Sequence, residues 1–434
     1  MIVHIIIGFL VLIGFLALGV HVASVLFTIG IVAGALTMGK AIIMDFGNQV
    51  WMVLNSFVMI AVPLFVLMGE ILLRSGVTDK MYSSMSLWLN RLPGGLLHTN
   101  IGASALMSAT SGSSVATSAT IGTVAIPGLK ARNYNERLVM GSLAAGGTLG
   151  ILIPPSINMI IYGSIAEASI GRLFIGGIVP GIVLAIMFSA IIIVMALMNP
   201  SAAGNPEPKT SFSYKIKSLT SFLPSLIVIT AIMGSIYLGW ATPTEAAALG
   251  VLAVLGIAVA RRALTITVLH ECFVGSIKTT AMILLIMVSA FFMNYVISLL
   301  GIPQDLSRWF VSLDISPIIT MWMIVLFYLV LGTFIETIAM MVTTIPLVVP
   351  LVVAAGYDPV WFGVFLMILC ETSLITPPVG MNLYVVQGIR PDGGPLKDVV
   401  VGVVPFLMMM LVMVALLIYF PGLALWLPGQ MMGF

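Results

Sequence analysis

Apolar stretches long enough to cross a bilayer, or nearly so, recur along this chain at about residues 2–19, 21–38, 51–73, 138–165, 173–199, 221–240, 243–260, 274–297, 358–388 and 399–427. In hydrocarbon every backbone N–H and C=O must find a partner within the protein, which leaves helices and closed barrels as spanning structures. Runs of this length suit helices. Only 7% of the 434 residues are Asp, Glu, Lys or Arg and 60% are hydrophobic, too few charges to cover a water-soluble surface. The expected fold is therefore an all-α polytopic membrane protein. Residues 1–20 lack the charged start of a signal peptide, and apolar sequence resumes at once, so they are expected to form a retained first span.

Two further apolar stretches, about 95–127 and 318–350, are interrupted near their middles by small, polar or proline residues. Each has the length of two half-helices that enter and leave on one side, a re-entrant hairpin. The more polar segments before them, 76–91 and 301–315, suit the interface, with Trp88 and Trp309 as anchors.

The charges orient this arrangement. Lys and Arg number 17 against 15 Asp and Glu, a net charge of +2 that marks loops and leaves no nucleic-acid footprint. Arg74, Lys80 and Arg91 precede the first hairpin, and Lys130, Arg132 and Arg137 follow it. Lys209, Lys215, Lys217, Arg261, Arg262, Arg390 and Lys397 then fall on the same side if ten spans and two hairpins are counted. By the positive-inside rule that side is cytoplasmic and both termini lie outside. Arg172, Lys278 and Arg308 run against the pattern.

The polar connector near 201–220, with Pro206 and Pro208, divides the chain into halves, 1–200 and 221–434. A constant displacement of 223 residues superposes Pro127 on Pro350, Tyr134 on Tyr357, Pro154 on Pro377 and Pro155 on Pro378. Each half would hold five spans and one hairpin. An odd number of crossings makes the second half enter from the opposite side, giving an inverted repeat of the alternating-access kind.

The chemistry is expected at the matched breaks. In the stretch Gly146 to Asn158, Pro154 and Pro155 remove backbone donors and Ser156 and Asn158 add polar side chains; Thr376, Pro377, Pro378, Gly380 and Asn382 form the counterpart. A helix broken there leaves carbonyls and amide ends free for an ion or an anionic solute. Ser108, Ser111, Gly112 and Ser113 supply a turn and hydroxyls at the first hairpin tip; Gly332, Thr333 and Glu336 supply the second. Glu70, Glu245 and Glu371 also lie in apolar surroundings, where a carboxylate is costly and calls for a partner. For Glu245, after Thr242-Pro243-Thr244, a helix cap answers that need as well.

Other chemistries find no support. Cys272 and Cys370 suit apolar filling, the four histidines are scattered, and the 30 methionines suit packing between sliding helices. No nucleophile–base pair or metal-ligand spacing marks an enzyme. A channel would not require matched hairpins.

The stretches Gly146 to Ser156, Ser169-Ile170-Gly171-Arg172-Leu173-Phe174, Pro180-Gly181, Thr242-Pro243-Thr244-Glu245-Ala246-Ala247, Gly356-Tyr357-Asp358-Pro359 and Ile375-Thr376-Pro377-Pro378-Val379-Gly380 span nearly the whole chain in order. In this combination the sequence resembles the large membrane subunit of tripartite ATP-independent periplasmic (TRAP) transporters, the DctM family. The loop Arg132-Asn133-Tyr134-Asn135 departs from the family's usual Gly-Tyr there without touching a proposed ligand.

The resemblance implies an elevator in the bacterial inner membrane that takes up an organic acid with sodium as coupling ion; a C4-dicarboxylate, sialic acid or related sugar acid would fit. It implies a periplasmic substrate-binding protein and a separate four-span small membrane subunit as partners, since the chain begins directly with its first span. The implied sodium ligands are Ser108, Ser111, Ser113 and Ser156 in one half, and Thr333, Glu336 and Thr376 in the other, with carbonyls from Gly112 and Gly380. Proton-coupled symport is the alternative, and an ion channel a more distant one.

Overall fold

The computed structural model describes residues 8, 10–12, 14, 15, 18–205 and 210–432; most of the first expected span, and Pro206 to Lys209 of the connector, lie outside the described residues. Every regular element among the described residues is a helix. Among the described residues, six helices are long and apolar enough to cross a membrane: Phe57–Arg74, Ile170–Met198, Pro243–Ala260, Ile266–Leu299, Thr337–Ala354 and Leu396–Tyr419. The pair Phe212–Ser221 and Leu223–Tyr237, bent by 46°, makes up to seven. This is an all-α polytopic membrane protein.

Local chemistry explains where the helices start. Asn135 Oδ1 accepts from the N–H groups of Arg137 and Leu138 at 3.0 and 3.4 Å and opens the helix Glu136–Gly147. Asp358 does the same for Pro359–Leu374, accepting from Val360 and Trp361 at 2.6 and 3.2 Å. A proline in the first turn has no amide hydrogen left to satisfy. Glu245 is a cap: with Thr242 it forms a reciprocal capping box at the start of Pro243–Ala260.

Both proline breaks interrupt helices. Glu136–Gly147 stops and Ile157–Ile165 resumes beyond Pro154–Pro155; Pro359–Leu374 stops and Met381–Gly388 resumes beyond Pro377–Pro378. Both Pro-Pro bonds are cis. The 223-residue displacement carries Ser114–Ala131 onto Thr337–Ala354 end to end, and takes the cap residues Asn135 to Asp358 and Ser113 to Glu336.

Three boundaries differ from those read off the apolar runs. A helix at Lys40–Leu54, carrying Asp45, Asn48 and Gln49, stands where no span was expected. Its Asp45 carboxylate accepts from the Asn48 and Gln49 amides, so polar groups three and four residues apart satisfy one another. The run at 51–73 is accordingly split, with the spanning helix starting at Phe57. The last run is divided at Phe420–Pro421 into Leu396–Tyr419 and Gly422–Met432.

The helices pack in two groups. Ile266–Leu299 lies against Val22–Met38, Lys40–Leu54 and Ala61–Arg74, and Pro243–Ala260 against Ala61–Arg74 and Leu223–Tyr237. The other group holds the broken helices, the pair Leu96–Ser111 and Ser114–Ala131, and the pair Pro317–Gly332 and Thr337–Ala354, braced by Ile170–Met198 and Leu396–Tyr419. This packing is typical of elevator folds. Glu136–Gly147 crosses Leu396–Tyr419 in backbone contact: a Cβ on Gly141 would sit 2.0 Å from the Gly402 carbonyl oxygen. Small residues at a crossing allow such an approach without a hydrophobic driving force from lipid.

The expected interfacial segments form the helices Val77–Leu89 and Ile302–Ser312. Trp88 is partly exposed, with the Lys215 ammonium 5.8 Å from its ring centre. The first of these helices also packs inward, where Tyr82 donates to Asn100 Oδ1 at 2.8 Å.

Candidate functional site

The turn between Leu96–Ser111 and Ser114–Ala131 rests on the first break. Gly112 has φ +60°, a conformation glycine adopts without penalty. A Cβ there would lie 3.2 Å from the Pro155 carbonyl oxygen and 3.7 Å from Ser156 Cα. On the other side, a Cβ on Gly150 would stand 2.5 Å from both N and Cα of Ser114 and 2.7 Å from the Ser113 carbonyl carbon. Ser111, Gly112, Ser113, Pro155 and Ser156 are thus drawn together, and Gly150 permits the approach.

The hydroxyls there have defined partners. Ser113 Oγ caps Ser114–Ala131 by accepting from the Ala116 N–H at 3.4 Å, and Ser156 Oγ caps Ile157–Ile165 by accepting from the Met159 N–H at 3.5 Å. Ser111 Oγ lies 2.9 Å from Thr117 Oγ1, and Ser108 Oγ donates to the Ser104 carbonyl at 2.6 Å. A hydroxyl that accepts or donates one hydrogen bond keeps lone pairs for a further interaction. Asn158 is buried beside this cluster in sequence, on the helix that Ser156 opens.

In the second half, a Cβ on Gly332 would meet Ser373 Oγ at 2.2 Å, which sets the end of Pro317–Gly332 against the end of Pro359–Leu374. The carbonyl oxygens of Leu374 and Thr376 both converge within 3.0 Å of a Cβ position on Gly380, whose φ is +34°. Thr333 Oγ1 donates to the Val330 carbonyl and Thr376 Oγ1 to that of Thr372, at 2.8 and 2.7 Å. Glu336 caps Thr337–Ala354, its carboxylate accepting from the N–H groups of Ile338 and Ala339 at 3.0 and 3.2 Å. Pro377 and Pro378 lie within the turn that carries Thr376 and Gly380.

Asn382 reaches into the first half. Its Nδ2 donates to the Ala144 carbonyl at 3.4 Å and would lie 3.0 Å from a Cβ on Gly147.

Of the carboxylates in apolar surroundings, Glu70 is paired with Arg74. Glu371 is completely buried. Its Oε1 accepts from the Ser114 hydroxyl and, at 3.2 Å, from the Ile151 N–H, so it ties the second half to both walls of the first site. Its cost in lipid marks it in the sequence. Its partners, hundreds of residues away, do not show there.

Between the two helix groups lies a cavity of about 130 Å³, lined by Glu70, Met107, Ser111, Ser113, Ile157 and Thr279 among others. No group of three or more His, Cys, Asp or Glu residues among those described has the arrangement of a metal centre. Oxygen-bearing groups dominate both breaks, a donor set suited to hard monovalent cations.

The family model described as "Tripartite ATP-independent periplasmic transporter, DctM component" matches residues 9–423. The chain is 33% identical over 382 residues to the sialic acid TRAP transporter large permease protein SiaM of Vibrio cholerae, covering 88% of each. It is 34% identical over 376 residues to the C4-dicarboxylate TRAP transporter large permease protein DctM of Pseudomonas aeruginosa, covering 86% of each. In fold it is similar to the YdaH transporter of Alcanivorax borkumensis, with a TM-score of 0.66 at 14% identity, over 95% of this chain and 98% of that one. The chain belongs to the DctM family of tripartite ATP-independent periplasmic transporters, and is a multi-pass, non-enzymatic transport protein of the bacterial inner membrane.

Proposed function

We propose that this chain carries an organic acid inward with sodium as coupling ion, taking its solute from a periplasmic binding protein and working beside a separate four-span small membrane subunit. The observation that carries this reading is the pair of proline breaks, each abutted by the end of a helix pair and furnished with hydroxyls and carbonyls. Two such sites, one in each half, give two places where a cation can offset the exposed ends of broken helices. Ser108, Ser111, Gly112, Ser113, Pro155 and Ser156 serve the first. Gly332, Thr333, Glu336, Thr376 and Gly380 serve the second.

In this reading the pairs around Gly112 and Thr333 are re-entrant hairpins, the halves 1–200 and 221–434 are inverted repeats joined by a cytoplasmic linker, and ten spans leave both ends in the periplasm. The end-to-end correspondence of Ser114–Ala131 with Thr337–Ala354 supports the repeat. The named substrates of the relatives, sialic acid and C4-dicarboxylates, support a carboxylate solute.

The test is uptake of a panel of such acids into proteoliposomes holding this chain and its small subunit, with the binding protein outside. A sodium gradient should drive accumulation and a proton gradient alone should not. Uptake that ignores sodium and collapses with the proton gradient would make the protein a proton symporter. Full transport by this chain reconstituted alone would remove the small subunit from the reading.

A further inference from the structure

Glu371 has a charge balance that the site as described leaves open. It sits three residues before the end of the first segment of a broken helix, with none of its surface exposed. Both of its donors address one oxygen: the Ser114 hydroxyl and the Ile151 N–H meet Oε1, while Oε2 has no hydrogen-bond partner. The ion pairs of the described residues join Arg74 to Glu70 and Glu271, Arg137 to Asp398, Arg308 to Asp305, and Arg390 to Glu136, Asp392 and Asp398; none includes Glu371. A fully buried carboxylate with no protein cation is costly in lipid.

The position of its two donors points to what balances it. Ser114 directly follows Ser113, and Ile151 directly follows Gly150, the residue that Ser113 and Ser114 crowd to within 2.7 Å of a Cβ position. Glu371 therefore bonds to the two backbone segments that adjoin the first candidate cation site, one following Ser113 and the other following Gly150. A negative charge there raises the electrostatic attraction for a cation in the adjoining low-dielectric protein. It also holds the two segments at a fixed separation.

We infer that Glu371 is the counter-charge of the cation bound at the first break, a positioning residue that acts through Ser114 and Ile151 and whose buried negative charge is balanced only when that cation is present. The inference rests on the sodium reading above and adds a residue from the opposite half to the first site. Occupancy of that site would thereby tighten a contact between the halves, since Glu371 belongs to one and Ser114 and Ile151 to the other.

Thermal unfolding of the detergent-solubilised complex of this chain with its small subunit, titrated with sodium chloride against choline chloride, tests this without transport. In the unsubstituted protein sodium should raise the unfolding temperature. Glu371→Gln, which preserves both hydrogen bonds to Oε1 and removes the charge, should move the sodium concentration for half-maximal protection up by about tenfold or more, and Glu371→Asp should recover part of the loss. Should Glu371→Gln fail to fold, Ser114→Ala, which cuts one of the two links, should give a smaller shift in the same direction. A sodium response unchanged in Glu371→Gln would overturn the inference while leaving sodium coupling intact, and would mean the carboxyl is neutral. No sodium protection in the unsubstituted protein, with sodium-independent uptake, would remove the sodium reading itself.

Discussion

Ser113 and Glu336 hold the same station in the two halves. Each is the N-cap of an 18-residue helix, one accepting from the Ala116 N–H and the other from those of Ile338 and Ala339. A hydroxyl in one half thus does with a dipole what a carboxylate does in the other with a full charge. Ser113→Ala should cost about 1 kcal/mol of stability, the usual loss for an N-cap, and should weaken the sodium response beyond what that loss explains. Glu336→Gln retains an acceptor for the helix end and removes only the charge, so its effect on sodium affinity at unchanged expression separates the two contributions.

Gly150 is the narrowest point of the first site. A methyl group there would stand 2.5 Å from the Ser114 backbone, and the backbone cannot yield as a side chain would. Gly150→Ala should cost about 1–3 kcal/mol through overpacking, and should abolish uptake by prising the turn from the break. Gly388, with nothing within 4 Å of its Cβ position, is the control; Gly388→Ala should leave uptake unchanged.

Arg390 is a buried cation that closes the other end of the core. Its guanidinium meets Glu136 from the first half and Asp392 and Asp398 from the second, with only 2% of its side chain exposed. Arg390→Met should cost about 3 kcal/mol, near the lower bound for breaking a buried pair because Glu136 is half exposed. The Arg390 guanidinium holds the Asp392 carboxyl below its usual range. A depressed carboxyl contributes stability that is present above its unfolded-state value and lost as pH falls through the folded one. The acid limb of thermal stability below the ordinary Asp range should therefore flatten in Arg390→Met, measured by unfolding temperature against pH.

Orientation can be read by labelling single cysteines in cells. Lys215 is a poor reporter because it packs over Trp88 and is 6% exposed, so a cysteine there would be hidden on either side. Lys217 and Gln430 are exposed. A periplasmic reagent should reach a cysteine at Gln430 and miss one at Lys217; the reverse would invert the topology.

The features legible in the sequence were those with a local cause. Paired prolines break a helix wherever they fall, and the repeat at 223 residues needs only matched prolines and tyrosines, so the two breaks and the turns at Gly112 and Thr333 emerged at their positions. Lys40–Leu54 was missed because its polar residues satisfy one another on the helix surface, a pattern that a search for apolar runs passes over. Glu371 declared itself as a costly carboxylate, but its bonds to Ser114 and Ile151 span more than two hundred residues and follow from packing alone. The same holds for Asn382, which lies against Ala144 and Gly147 in the other half.

The most direct test is the sodium dependence of solute uptake in proteoliposomes containing the small subunit, with the binding protein outside, compared among the unsubstituted protein, Ser113→Ala and Thr376→Ala. If each break binds a coupling ion, both variants should need higher sodium for half-maximal uptake, although the substitutions lie in opposite halves. An unchanged sodium response in both would contradict the two-site account.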